Sequence, residues 1–91
     1  MIIVTRNASD RLRGFLASVA LEVDAGIYVT TSASPALADR IWDVIDGWTS
    51  IDGSAILVLP DKHSPGGLRI RTLGLPHFNL VEVDGLFLSS K

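Results

Sequence analysis

Cysteine is absent from this 91-residue chain, which excludes disulfides and thiolate metal sites as sources of stability. Long apolar runs are missing as well. No stretch approaches the ~20 residues that a membrane-spanning helix requires. The opening MIIVTRN has neither the basic start nor the apolar run of a secretory signal. A cytoplasmic location with no membrane partner is therefore expected. Neither sign of charge is in large excess: the formal net charge is -2 and the isoelectric point is near 5.5. Adhesion to nucleic acid through overall charge is thereby excluded, whereas a local basic patch is not. Histidine is scarce. His63 and His77 fall in turn-rich segments without the acid or serine spacing of a triad or metal site, and both read as solvated loop residues.

What the chain does have is apolar surface. Hydrophobic residues make up 47% of it, and the mean hydropathy is +0.37. A chain of this length forms one domain, here residues 1–91, and is marginal as a lone core. The apolar surplus predicts a face buried against a second copy of the chain.

Residues 1–5 are β-branched and apolar on both faces, as in a strand covered above and below. Ser9 is suited to cap a helix, with Asp10 in its first turn and Leu12, Phe15, Leu16, Val19 and Ala20 forming one apolar stripe. LEVDAGIYVTT reads as two short strands joined by a bulge or tight bend at DAG. Ser34 and Pro35 open a second helix, whose buried stripe is Leu37, Ala38, Ile41, Val44, Ile45 and Trp48. SAILVLP is a further buried strand ended by Pro60, and LRIRTLG alternates as a half-exposed strand does. A hairpin is expected about the DG of LVEVDGLFLSS. The order β, α, β, β, α, β with additional C-terminal strands predicts an α+β, ferredoxin-like sandwich with two helices on one face of an antiparallel sheet. The other face is left for dimerisation.

Arg6, Arg11 and Arg13 crowd into eight positions where the first strand gives way to the first helix. Leu12, Phe15 and Leu16 take the core, so Arg11 and Arg13 point away from it, beside the free N–H groups of the helix start. Cations there are unfavourable for the helix, and a bound phosphate would offset this. The competing reading pairs them with acids such as Asp10. Asp10 itself reads as a helix-start acid and Asp24 as turn chemistry. Arg6 and Asn7, through its amide, can add to the same patch. Arg69 and Arg71 share one face of a strand and offer either a second basic row or a solvated strand face. Trp48 falls on the apolar stripe and reads as core or interface; Trp42 is open between packing and a base-stacking platform.

Four pieces in this order, RLRGFL after the first strand, LEVDAGIYV after the first helix, RIWDVI in the second helix and VDGL near the end, resemble CRISPR-associated protein two of the type I-E branch. That family supplies the small subunit of the spacer-acquisition complex. Residues 1–48 carry the resemblance, while over 51–80 only the strand pattern agrees. It implies a ferredoxin-like homodimer that bridges two dimers of the integrase subunit, CRISPR-associated protein one, and holds the middle of a double-stranded DNA prespacer. The family's duplex-backbone arginines align with Arg11 and Arg13. Its C-terminal strands dock on the integrase, which would make residues 80–91 the docking segment, with Leu80, Val81, Val83, Asp84, Leu86 and Leu88 as partner-binding residues. Residues 67–73 are expected to extend the sheet across the dimer.

The resemblance also implies an enzymatic alternative, a metal-dependent endonuclease acting on RNA or DNA. An acid at the end of the first strand would hold Mg²⁺, a hard cation that takes oxygen ligands. The type I-E branch has TEN there, and this chain has Thr5-Arg6-Asn7. A guanidinium cannot ligate a cation, so no catalytic residue or metal site is assigned, and the adaptor role requires no cofactor. A ferredoxin-like ligand-binding regulator unrelated to CRISPR is the third possibility, and an adjacent integrase gene and repeat array would separate it from the other two.

Overall fold

The apolar segment at the start forms β1 (Ile2–Arg6), the central strand of a five-stranded antiparallel sheet in the order β2-β3-β1-β4-β5. The computed structural model describes residues 1–31, 34–74, 79–83 and 86–90. Its elements are α1 (Asp10–Val19), β2 (Leu21–Asp24), β3 (Ile27–Val29), α2 (Pro35–Trp48), β4 (Ser54–Pro60), β5 (Leu68–Leu73), β6 (Asn79–Val83) and β7 (Leu86–Ser90). The first six of these, counting from β1, have the βαββαβ order, and the fold is the expected α+β, ferredoxin-like one.

Both helix caps form as the sequence predicts. Leu12 N–H donates to Ser9 Oγ at 3.2 Å and Leu37 N–H to Ser34 Oγ at 3.1 Å, with Pro35 in the first turn of α2. Such caps satisfy backbone donors that a helix start otherwise leaves open. The DAG bend is a turn with a register shift between Glu22 and Asp24. Its Gly26 has φ 76°, and a Cβ there would meet Thr5 O at 2.6 Å. Only glycine allows this approach, in which Thr5 N–H donates to Gly26 O at 2.7 Å and ties the turn to β1.

Strand alternation sorts the sheet into two faces. Ile3, Tyr28, Ala55, Leu57 and Leu59 turn toward the helices and pack with Leu12, Leu16, Ala38, Ile41 and Ile45. Across the register, Leu21, Val29, Ile2, Val58 and Ile70 share the opposite face, and Ile27, Val4 and Ile56 form the next row. This second face is apolar yet open: Leu21 is 69% exposed, Ile2 44% and Ile56 40%. β5 lies at the edge of its own sheet, paired with β4 from Ala55↔Leu73 to Pro60↔Leu68.

β6 and β7 pair antiparallel from Asn79↔Ser90 to Val83↔Leu86 as a separate two-stranded sheet. The hairpin about DG is therefore present in the backbone pairing, with Asp84 and Gly85 themselves outside the described residues, as is His77. Among the described residues no helix is long and apolar enough to cross a membrane.

Candidate nucleic-acid interface

β1 delivers Arg6 to its C-terminal end, where Asn7 turns the chain with φ 56°, a left-handed conformation that asparagine tolerates better than most residues. Asn7 Nδ2 donates to the Asp52 carbonyl at 3.2 Å. This bond ties the β1–α1 turn to the α2–β4 connection and engages one of the amide's two N–H donors. Ser50 Oγ donating to Asp52 Oδ1 at 2.8 Å stiffens the same connection. Ile51, at its tip, is fully exposed.

Arg11 and Arg13 follow on α1, both exposed. At 100° per residue their side chains leave the helix about 200° apart. They do not make one patch side by side, as their neighbours confirm. The Arg11 guanidinium lies over the Trp48 ring of α2, 3.7 Å from its centroid. Phe15, one turn further along α1, meets the same indole edge-on, with centroids 5.7 Å apart and planes at 73°. Arg13 leaves toward the β2–β3 side, beside Tyr28 and Glu22. Its contact with Asp10 is long, 3.9 Å, between exposed groups, a separation at which such pairs contribute little.

Tyr28 is fully buried, and its hydroxyl has Glu22 and Arg13 beside it without a well-formed hydrogen bond to either. Burial pushes its ionisation above the ordinary 10.0, and the nearby Glu22 carboxylate pushes the same way against Arg13. The phenol is thus held neutral beneath the arginine.

The second basic pair behaves differently. Arg69 and Arg71 are opposite Leu59 and Leu57 in the register, which places them on the helix-facing side of β5. Arg71 Nη2 reaches Asp39 Oδ1 of α2 at 2.7 Å. Arg69 meets Asp61 through Nη2 at 3.0 Å and through Nε at 3.1 Å. The Asp61 carboxyl is held below the ordinary 3.8, first by the His63 backbone N–H, then by Ser64 and Arg69. His63 itself is exposed, as expected. Both β5 arginines are therefore neutralised by acids within the chain, whereas the side chains of Arg6 and Arg11 have no ion pair or hydrogen bond among the described residues.

Trp42 is half-buried against the core and so is Trp48. The α1–α2 stack of Arg11 on Trp48, and the acids Asp39 and Asp61, are features the sequence reading did not contain. Phe15 at i+4 from Arg11 marks one side of the stack, but nothing along the chain points to Trp48 as the other.

No group of three or more His, Asp or Glu side chains among the described residues could hold a metal ion. Of the residues expected to dock on a partner, Leu80, Val81 and Val83 fall on β6 and Leu86 and Leu88 on β7. Residues 1–88 match the sequence family described as CRISPR-associated protein (Cas_Cas2CT1978). The match therefore includes residues 51–80, where the sequence shared only a strand pattern with its resemblance.

Proposed function

The chain belongs to the CRISPR-associated protein family Cas_Cas2CT1978, and from that premise we propose that it is a non-catalytic adaptor of spacer acquisition, of the type I-E branch. In this reading a homodimer holds the phosphates of a double-stranded DNA prespacer and bridges two dimers of an integrase subunit. The observation that carries it is the state of the arginines around the start of α1. Arg6 and Arg11 have no acid partner among the described residues and Arg13 only a distant one, so their charge is free to meet phosphate. Arg69 and Arg71, already neutralised, are minor contributors. Arg6 stands where the resemblance implies an acid, which favours holding DNA over cutting it.

The apolar sheet face supports the dimer: of its rows of valine, isoleucine and leucine, Leu21, Ile2, Val29 and Ile56 are exposed. The β6–β7 hairpin supports integrase docking, since its two strands pair with each other and with no other described strand. Unpaired strand edges are suited to pairing with another chain.

Co-purification with the integrase subunit from the same genome, with and without duplex DNA, tests the proposal. The two proteins are expected to associate, and removal of residues 80–91 to abolish the association while leaving the sheet folded. Absence of any association, direct or duplex-dependent, would overturn the adaptor reading. So would Mg²⁺-dependent cleavage that co-elutes with the protein and disappears in Asp10→Ala, which would restore the nuclease.

A further inference from the structure

The Arg11 side chain is an exposed group of high rotamer freedom, yet its guanidinium carbon lies over an indole, 3.7 Å from the ring centroid. The platform is fixed from two sides. Trp48 is the last residue of α2 and packs against the core, and Phe15 of α1 meets it edge-on. Arg11 and Phe15, one turn apart on the same helix face, thus straddle a single aromatic side chain from the neighbouring helix. Stacking occupies the face of a guanidinium and leaves the N–H donors in its plane free. Arg11 uses none of those donors on any described residue.

We infer that Trp48 is a positioning residue for Arg11, holding its in-plane fork oriented toward a nucleic-acid phosphate; this rests on the adaptor reading above. An unstacked arginine must lose its rotamer freedom when it meets a phosphate, which weakens binding, whereas a stacked one has already lost it. The indole adds no charge. Its removal leaves the number of phosphates neutralised unchanged and lowers affinity only through lost orientation.

Two variants separate this from a packing role. Trp48→Leu keeps an apolar contact with the core and removes the aromatic face. Arg11→Lys leaves Trp48 and the fold intact and replaces the planar fork with a point charge. Binding of the full chain to a blunt duplex of arbitrary sequence is measured by titration at several salt concentrations, with thermal melting as the control for folding. Both variants are expected to bind about threefold to tenfold more weakly, the range from ordering one long side chain. Both should keep the wild-type slope of log K against log salt, and Trp48→Phe should recover most of the affinity. Arg11→Ala, run in parallel, is expected to lower that slope by ~0.9 per subunit. Wild-type affinity in folded Trp48→Leu or in Arg11→Lys, with Arg11→Ala weakened, overturns the positioning role and leaves the adaptor intact. An unchanged slope in Arg11→Ala instead removes the phosphate contact, and the positioning role falls with it.

Discussion

Two pairs of arginines, each spaced two residues apart, meet opposite fates in this protein. Arg11 and Arg13 are on a helix, where a step of two turns the side chain through about 200° and sends the pair to opposite flanks. Arg69 and Arg71 are on a strand, where the same step returns to the same face. The strand pair looks across at α2 and the β4–β5 loop and finds Asp39 and Asp61 at 2.7 and 3.0 Å. The helix pair finds an indole on one flank and, on the other, a neutral phenol beside the Glu22 carboxylate. Identical spacing thus gives a neutralised seam at one edge of the sheet and only loosely compensated charge at the β1–α1 end.

The widest gap between the two pairs is expected in DNA binding. Changing Arg11 and Arg13 together to Ala should weaken duplex binding equally for any sequence, because phosphates carry no base information. The slope of log K against log salt should fall by ~4 if both arginines of both subunits are engaged. Folding should shift by no more than about 1 kcal/mol, the range of an exposed cation–π contact such as Arg11 makes with Trp48. A titration across salt concentrations checks this, and equal slopes for wild type and variant would erase the distinction between the pairs.

The converse change sharpens it. Arg69→Ala with Arg71→Ala is expected to leave the salt slope within about one unit of wild type, and to show its effect in melting instead. Loss of the half-exposed Arg71–Asp39 pair alone should cost at most about 1 kcal/mol. A slope change as large as that of the α1 double variant would place the β5 row on the DNA as well.

Beneath Arg13, Tyr28→Phe removes a buried hydroxyl that has no well-formed hydrogen bond among the described residues, and should raise stability by about 1 kcal/mol. The native state holds the phenol protonated, so its contribution is complete below the unfolded value of 10.0 and is lost as pH rises through the raised native one. Denaturant unfolding from pH 8 upward should therefore show an alkaline loss in wild type that is reduced in Tyr28→Phe. If the two fall together with pH, the environment of the phenol is not as described.

The smallest effect concerns the acid that neutralises Arg69. Asp61 is held low, so the stability it gives is present above 3.8 and is lost as pH falls through its lower native value. Asp61→Asn should flatten the acid limb of the stability curve without touching the alkaline one. An unaltered acid limb would mean that the β5 seam is not held by this carboxylate.

Much of the fold could be read along the chain because its signals are local. Ser9 and Ser34 cap their helices through their own third-residue N–H groups, and the glycine of DAG is needed by a turn three residues long. The candidate site was legible only in part. That Arg11 and Arg13 avoid the core follows from Leu12 and Leu16 occupying it, but a shared patch does not, since the helix divides them. Asp61 is eight residues from Arg69 and Asp39 thirty-two from Arg71, separations at which the sequence carries no pairing signal.

What the sequence alone determined was periodicity: which stretches are helix or strand, which side of each is apolar, and the βαββαβ order that a ferredoxin-like sheet requires. Those properties depend on residues within a turn or two of one another. Only the tertiary structure decided what each cation faces. The register of β4 on β5 set Arg69 and Arg71 beneath acids, and the packing of α2 beside α1 slid Trp48 under Arg11. Contacts of this kind join residues far apart in the chain, and they exist only once the sheet and helices have been brought together.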